Sequence, residues 1–326
     1  MQTAPLAIAG LRAHTAQAAI LKKLWLMLAS LTLWLLAGCG PSSGNGTAAP
    51  SYGSETATPQ RPEYVLAVHP LHNPARLFAL YGPLVDWLNQ KIPGAQFRLE
   101  ASRNYEDFER KLAQRQPAFA LPNPYQTLQA QAYGYHVVAK MGDDTEFVGL
   151  ILTRQDSTIE RITDLKGHKI AYPAATALAA TLLPQAYLQR HGLNIQHDVH
   201  NLYVGSQESA IMNVYLGNAS AGTTWPLPWK GFQKEHPEQA RELVVRWTTE
   251  PLINNSIVAR DDVPASVVQQ VVHELLHLHT SAEGRALLAR LPLSRFEAAN
   301  DEHYHMIQDF LTHFERDVRP LKAGTP

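Results

Sequence analysis

Two sets of residues have types and spacings that suit chemistry. The first is His273-Glu274-Leu275-Leu276-His277. On a helix, histidines at i and i+4 share one face, as a zinc ion requires, and Glu274 stands where a general base would. Three features weigh against a peptidase. The metzincin continuation needs Gly and His where this chain has Thr280 and Glu283. A third ligand, Glu297 or Glu302, has no flanking motif. Ser266, Gln269, Gln270, His273, His277 and Thr280 also form one polar stripe opposite Val268, Val272, Leu275 and His279, as on a surface helix with one face on a core. A zinc metallopeptidase through His273-Glu274-x-x-His277 is therefore an alternative reading only. With no Ser/His/Asp arrangement or phosphate-binding loop nearby, no catalytic residue, metal ligand or cofactor is assigned.

The second set lies in five short loops between a strand-like run and a helix. They are His69-Pro70-Leu71-His72-Asn73, Pro122-Asn123-Pro124-Tyr125, Pro173-Ala174-Ala175-Thr176, Gly205-Ser206-Gln207-Glu208 and Thr223-Thr224-Trp225. Ligands of open α/β sheets sit at the carboxyl ends of strands, where helix N-termini offer free N–H groups and a positive dipole end. Asn73, Asn123, Tyr125, Thr176, Ser206, Gln207, Thr223 and Thr224, with Tyr105 at another helix start, supply neutral hydrogen bonds. Trp225 supplies an aromatic wall, Glu208 a carboxylate, and His69 and His72 a titratable pair. Pro70 and Pro74 stiffen the first loop, which favours preorganised binding. These thirteen residues are the candidate ligand-binding set.

The elements that position them follow from apolar periodicity. Strands are expected at 63–69, 96–100, 119–121, 135–140 and 146–153, with helices at 76–90, 105–114 and up to 133; that βαβαβ pattern implies a parallel sheet covered on both faces. A second series starts at Asp164-Leu165-Lys166-Gly167-His168-Lys169-Ile170-Ala171-Tyr172, where a short helix with a Lys-Gly stop delivers the chain into a buried strand, 169–172. An alanine-rich helix is expected almost at once, up to Pro184. Strands at 199–204, 219–224 and 242–248 and a helix at 209–216 follow, and 253–259 reads as the return into the first lobe. Helices at 263–280, 282–289 and 301–314 close the chain. The fold class is α/β, with 63–148 plus 250–326 as lobe 1, 149–249 as lobe 2, and crossovers near 147–152 and 247–254 forming a hinge.

Composition sets the setting. The 326 residues are 45% hydrophobic, and the net charge of −1, with no basic tract beyond Lys22-Lys23, argues against nucleic acid as a partner. After those lysines an apolar run, 24–36, has signal-peptide length and is too short to span a membrane. It ends in Leu36-Ala37-Gly38-Cys39, similar to a bacterial lipobox, so 1–38 is expected to be a lipoprotein signal peptide and Cys39 the lipidated first residue. Removing it deletes Arg12, Lys22 and Lys23 and no acidic residue, taking the net charge from −1 to −4. Cys39 is the single cysteine, which excludes an internal disulfide. Residues 39–62, rich in Pro, Ser, Gly, Thr and Ala, read as a flexible tether. The folded body is thus expected on the periplasmic side of a bacterial membrane, lipid-anchored and monomeric.

From Tyr64 to Phe314 the chain resembles periplasmic solute-binding proteins of the phosphate/phosphite/phosphonate type, partners of ABC importers. The resemblance rests on Tyr81-Gly-Pro-Leu-Val-Asp-Trp-Leu88, Asp156-Ser-Thr-Ile-Glu-Arg-Ile-Thr-Asp-Leu-Lys-Gly167, Gly205-Ser-Gln-Glu-Ser-Ala-Ile211, Gly217-Asn-Ala-Ser-Ala-Gly222 and Phe296-Glu-Ala-Ala-Asn-Asp-Glu-His-Tyr304. It implies a type II periplasmic-binding-protein fold, a small oxyanion or organic solute held between closing lobes, and an ABC permease as partner. A sensing version, serving a membrane histidine kinase, is a sibling alternative. Phosphonate-binding members carry Ser-Thr-Ser in the loop before the proline that aligns with Pro184. Those positions fall on Ala177, Leu178 and Ala179, and the usual histidine of the next loop on Gln207. Three lost hydrogen bonds to a charged group cost roughly 4–9 kcal/mol, enough to turn nanomolar affinity into micromolar or worse. An altered ligand is expected.

Overall fold

The computed structural model describes residues 61–321. The signal peptide, Cys39 and the tether up to residue 60 lie outside the described residues. The chain begins β1 (Glu63–Val68), α1 (Pro74–Lys91), β2 (Gln96–Ala101), α2 (Tyr105–Ala113), β3 (Phe119–Leu121), α3 (Pro124–Ala132), β4 (Tyr135–Met141) and β5 (Leu150–Arg154). It continues β6 (Lys169–Tyr172), α4 (Leu183–Arg190), β7 (His200–Tyr203), α5 (Gln207–Tyr215), β8 (Ala221–Thr224), α6 (Pro226–Glu235), α7 (Pro237–Arg241) and β9 (Leu243–Thr248). The last part is β10 (Ser256–Arg260), α8 (Ala265–His277), α9 (Ala282–Arg290), β11 (Phe296–Glu297) and α10 (His305–Asp317).

Two sheets result, of order β11-β4-β10-β3-β1-β2 and β7-β6-β8-β5-β9. The first two strands pair in parallel, Glu63 opposite Gln96 through Val68 opposite Ala101, and β3 joins β1 in parallel. The expected parallel run through 146–153 does not form. A 3₁₀ turn occupies Asp144–Glu146, the strand starts at Leu150, and β5 pairs antiparallel with β8 and β9 in the second sheet. Conversely, β10 returns to lie antiparallel between β3 and β4. The crossing segments thus bring one reversed strand into each sheet, β11 adds a second reversed strand beside β4 in the first, and both sheets are mixed. Of the closing helices, α9 starts at Ala282 as expected, α8 runs from Ala265 and gives way to a 3₁₀ turn at Leu278–Thr280, and α10 starts at His305 after a 3₁₀ turn at Asp301–Tyr304.

Packing explains the helices. In α1, Leu77, Tyr81, Leu84, Val85 and Leu88 are buried at helical spacing, each fully buried apolar side chain contributing about 1.5–3 kcal/mol. The helix after β6 starts differently from expectation. Residues 173–177 form a loop, Leu178–Leu182 a π-helical turn, and α4 follows without a break. Pro184 accounts for the wide turn. It has no N–H for the carbonyl four residues back, and that carbonyl, on Ala180, accepts instead from Thr223 Oγ1 in β8. Among the described residues no helix is long and apolar enough to cross a membrane.

Helix α5 lies against β8 at a distance only glycine permits. A Cβ on Gly222 would stand 2.5 Å from Val214 Cγ2 and 2.6 Å from Ala210 O. Gly222→Ala must push α5 off the sheet. It should lower stability by about 1–3 kcal/mol, read as a lower urea midpoint with unchanged m-value.

Candidate ligand-binding site

The loops at the strand ends are held by helix capping. Asn73 accepts from Arg76 N at 3.0 Å, Asn104 from Asp107 N at 2.8 Å and Ser206 from Ser209 N at 3.1 Å. Asn123 forms a capping box with Gln126 and still reaches Thr176 O with its Nδ2, at 3.1 Å. Each cap satisfies N–H groups that a helix start leaves open and fixes where the chain leaves the sheet.

The loops converge on a pocket lined from both sheets. His69, Tyr105 and Asn123 come from the first; Ala177, Leu178, Ala179, Ala180, Gln207 and Trp225 come from the second. Phe147 and Asn255 come from the two segments that pass between the sheets. The gap left among them holds about one water-sized sphere. Phe147 and Trp225 meet edge to face, with centroids 5.4 Å apart. The N–H groups of Leu178, Ala179 and Ala180 find no acceptor among the described residues, as expected for a first helical turn. Methyl and isobutyl side chains here replace the hydroxyls expected from the resemblance. No lysine or arginine lines the pocket.

Burial sets the ionisation. His69 is 3% exposed, and desolvation lowers its pKa to about 4 against the contact of Nδ1 with Leu121 O at 2.9 Å. The ring is thus neutral, with Nδ1–H donating and an Nε2 lone pair left over. Beyond it, His72 lies 3.7 Å from Glu208 Oε1, and Asn73 Nδ2 lies 3.5 Å from Glu208 Oε2. Burial lowers the His72 pKa; for Glu208 burial works upward, but His72 and Arg76 outweigh it and hold the carboxyl low. Arg76 pairs with Glu235. On the other flank Glu109 accepts from Thr176 Oγ1 at 2.6 Å and Gln126 Nε2 at 3.1 Å, and burial raises its pKa.

Of the thirteen candidates the structure gathers His69, Tyr105, Asn123, Gln207 and Trp225 around the pocket. His72, Asn73 and Glu208 form the polar cluster beside it, and Thr176 faces Glu109. The remaining hydroxyls are engaged elsewhere. Thr223 donates to Ala180 O, Thr224 to Gln207 Oε1 at 3.0 Å, and Ser206 to Ser209 Oγ at 2.9 Å, while Tyr125 OH accepts from Gln129. Gln207 spans the sheets, its Nε2 3.5 Å from Tyr105 OH. Asn255, Phe147 and the Ala177–Ala180 run were not among the candidates. The adjacent pair Asn254-Asn255 at the start of an apolar strand was the available signal.

The His273/His277 pair gives no support to a peptidase. The rings lie 4.3 Å apart on α8, but Glu274 accepts from Trp87 Nε1 at 3.1 Å, which ties it to α1. His277 Nδ1 is engaged by His273 O, and no third ligating side chain joins them among the described residues.

A model of the family described as ABC transporter, phosphonate, periplasmic substrate-binding protein matches residues 66–304. The chain is similar in structure to a binding protein component of an ABC phosphonate transporter from Pseudomonas aeruginosa: 16% identity, 79% of this chain and 88% of that one, TM-score 0.73. A Prochlorococcus marinus protein in complex with methylphosphonate matches at 17% identity over 78% of this chain and 98% of its own, TM-score 0.71. The periplasmic aliphatic sulphonate-binding protein of Escherichia coli matches at 14% identity over 80% and 90%, TM-score 0.55. At these identities the likeness establishes the fold, that of type II periplasmic binding proteins. A comparison with curated proteins finds no match.

The buried His69 makes stability depend on pH. Its folded pKa lies below the ordinary 6.5, so on acidification the unfolded chain takes up the proton first. Stability is full above pH 6.5 and falls as the pH drops towards about 4, by about 3 kcal/mol for a shift of that size. Urea midpoints across this window should decline in the wild type and decline less steeply in His69→Gln, where buried His72 still contributes.

Proposed function

Because the chain belongs to the family of periplasmic substrate-binding proteins of phosphonate ABC transporters, we propose that it captures a small solute between two closing lobes and delivers it to a membrane permease. The observation that carries this reading is the pocket itself. It draws its lining from both sheets and from both segments between them. Residues 63–148 with 250–326 form one lobe, 149–249 the other, and the paired crossovers are the hinge. The family is one of substrate-binding proteins, not enzymes. Closure without turnover is the expected behaviour.

The solute differs from the fully ionised phosphonate expected of a hydroxyl-lined loop. Supporting this, Ala177, Leu178 and Ala179 occupy the loop and Gln207 replaces the next loop's histidine, while the pocket has no cationic side chain. The lipobox-like Leu36-Ala37-Gly38-Cys39 supports a lipid anchor, with 39–62 as the leash.

Two measurements test this. In a thermal-shift screen of oxyanions, phosphonates and small organic solutes, a ligand at about 100 times its Kd should stabilise the protein by about 2.7 kcal/mol. Silence across the whole panel would remove the solute-binding reading. Separately, Cys39→Ala should move the protein from the membrane pellet to the soluble fraction, and continued sedimentation with membranes would exclude the anchor.

A further inference from the structure

The polar atoms of the pocket are of two opposed kinds. None of its eleven lining residues is lysine, arginine, aspartate or glutamate. Positive potential comes from the free N–H groups of Leu178, Ala179 and Ala180, which open a continuous helix from 178 to 190. A helix start of this kind carries about half a positive charge, and no cationic side chain of the lining adds to it. The charged side chains acting on the lining are carboxylates, Glu109 upon Tyr105 and Glu208 next to Gln207, with Arg76 turned to Glu235.

Against these donors stand two acceptors. With Nδ1 committed to Leu121 O, neutral His69 presents its Nε2 lone pair. Asn255 is fully buried; its Nδ2 lies 3.7 Å from Met141 Sδ, and its Oδ1 has no donor. A buried acceptor without a donor costs free energy until one arrives. A fully ionised oxyanion offers only lone pairs to both and is repelled. A ligand that retains an O–H satisfies one of them.

Resting on the solute-binding reading above, we propose that the site selects a singly charged oxyacid that keeps one acidic proton. Its anionic oxygens sit on the N–H groups of Leu178, Ala179 and Ala180, and its O–H donates to His69 Nε2 or Asn255 Oδ1. Its organic substituent lies against Phe147 and Trp225, the lobes parting to widen a gap that holds about one water-sized sphere in this structure. The discrimination is between protonation states of otherwise similar tetrahedral anions.

Titration calorimetry on the mature chain, with methylphosphonate and methanesulfonate, tests this. Below the second ionisation of methylphosphonate both are singly charged and similar in size, and only methylphosphonate carries an O–H. Methylphosphonate should bind about 100-fold more tightly, and its affinity should fall tenfold per pH unit once the second proton leaves. The titratable groups around His69 are His72 in its own loop and Tyr105 and Glu109 from α2. Burial keeps His69 neutral through this range, so the slope belongs to the ligand. Asn255→Leu and His69→Phe should each cut the preference about tenfold, and the wild-type comparison decides the matter should either fail to fold. Equal binding of methanesulfonate, or affinity rising with ionisation, overturns the proposal. Binding of neither, alongside a thermal shift from another solute, overturns it and leaves the solute-binding reading intact. No response to any solute overturns both.

Discussion

Hydrogen bonds between the two segments that pass between the sheets hold the arrangement together. Met141 N donates to Asn255 O at 2.8 Å, Leu252 N to Phe147 O at 3.1 Å and Thr249 N to Gly149 O at 2.9 Å, so the segments run side by side. At one end Lys140, 6% exposed, sits between Asp144 at 2.9 Å and Glu297 at 2.7 Å. A buried ammonium is tolerable only with such partners, and removing both would leave its charge uncompensated. Asp144 also accepts from Asn254 N, Asn254 Nδ2 donates to Gly142 O, and Tyr304 OH donates to Asn254 O. The C-terminal region thus anchors the segment that carries Asn255 into the pocket.

This arrangement couples the frame to the site at a second point. A Cβ on Gly149 would stand 2.7 Å from Ala179 O and from Pro184, so one crossing segment touches the helix that carries the free N–H groups. Pro184 both widens the first turn of that helix and releases the Ala180 carbonyl to Thr223. A third tie comes from Arg319. Its Nη2 donates to Ala175 O at 2.7 Å and its Nε to Gln185 Oε1 at 2.8 Å, which holds the loop before the helix from behind.

Local pattern was enough for the strands at 119–121 and 169–172, whose sequence-based bounds match the structure. The βα loops, with their Asn and Ser caps, were equally legible, because capping depends on neighbours in sequence. The reversal of β5 was not legible, since its apolar run reads the same in either sheet and its partners lie some seventy residues and more downstream, Thr224 and Thr248 opposite Leu150. Thr223 and Thr224 looked like ligand donors because a hydroxyl's free acceptor cannot be seen in sequence; both are spent on the chain's own oxygens. Phe147 and Asn255 escaped notice for a related reason. They lie on crossing segments, and only the closure of two sheets around them makes them part of one pocket.

The free N–H groups of Leu178, Ala179 and Ala180 belong to the peptide backbone, and no point substitution other than proline deletes them. The donors proposed to hold the anion therefore do not depend on which side chains stand at these positions. Side chains at these same positions set the size and polarity of the lining instead. A substitution there alters the lining without rebuilding the frame, and a loop with no hydroxyl at these positions keeps its backbone donors.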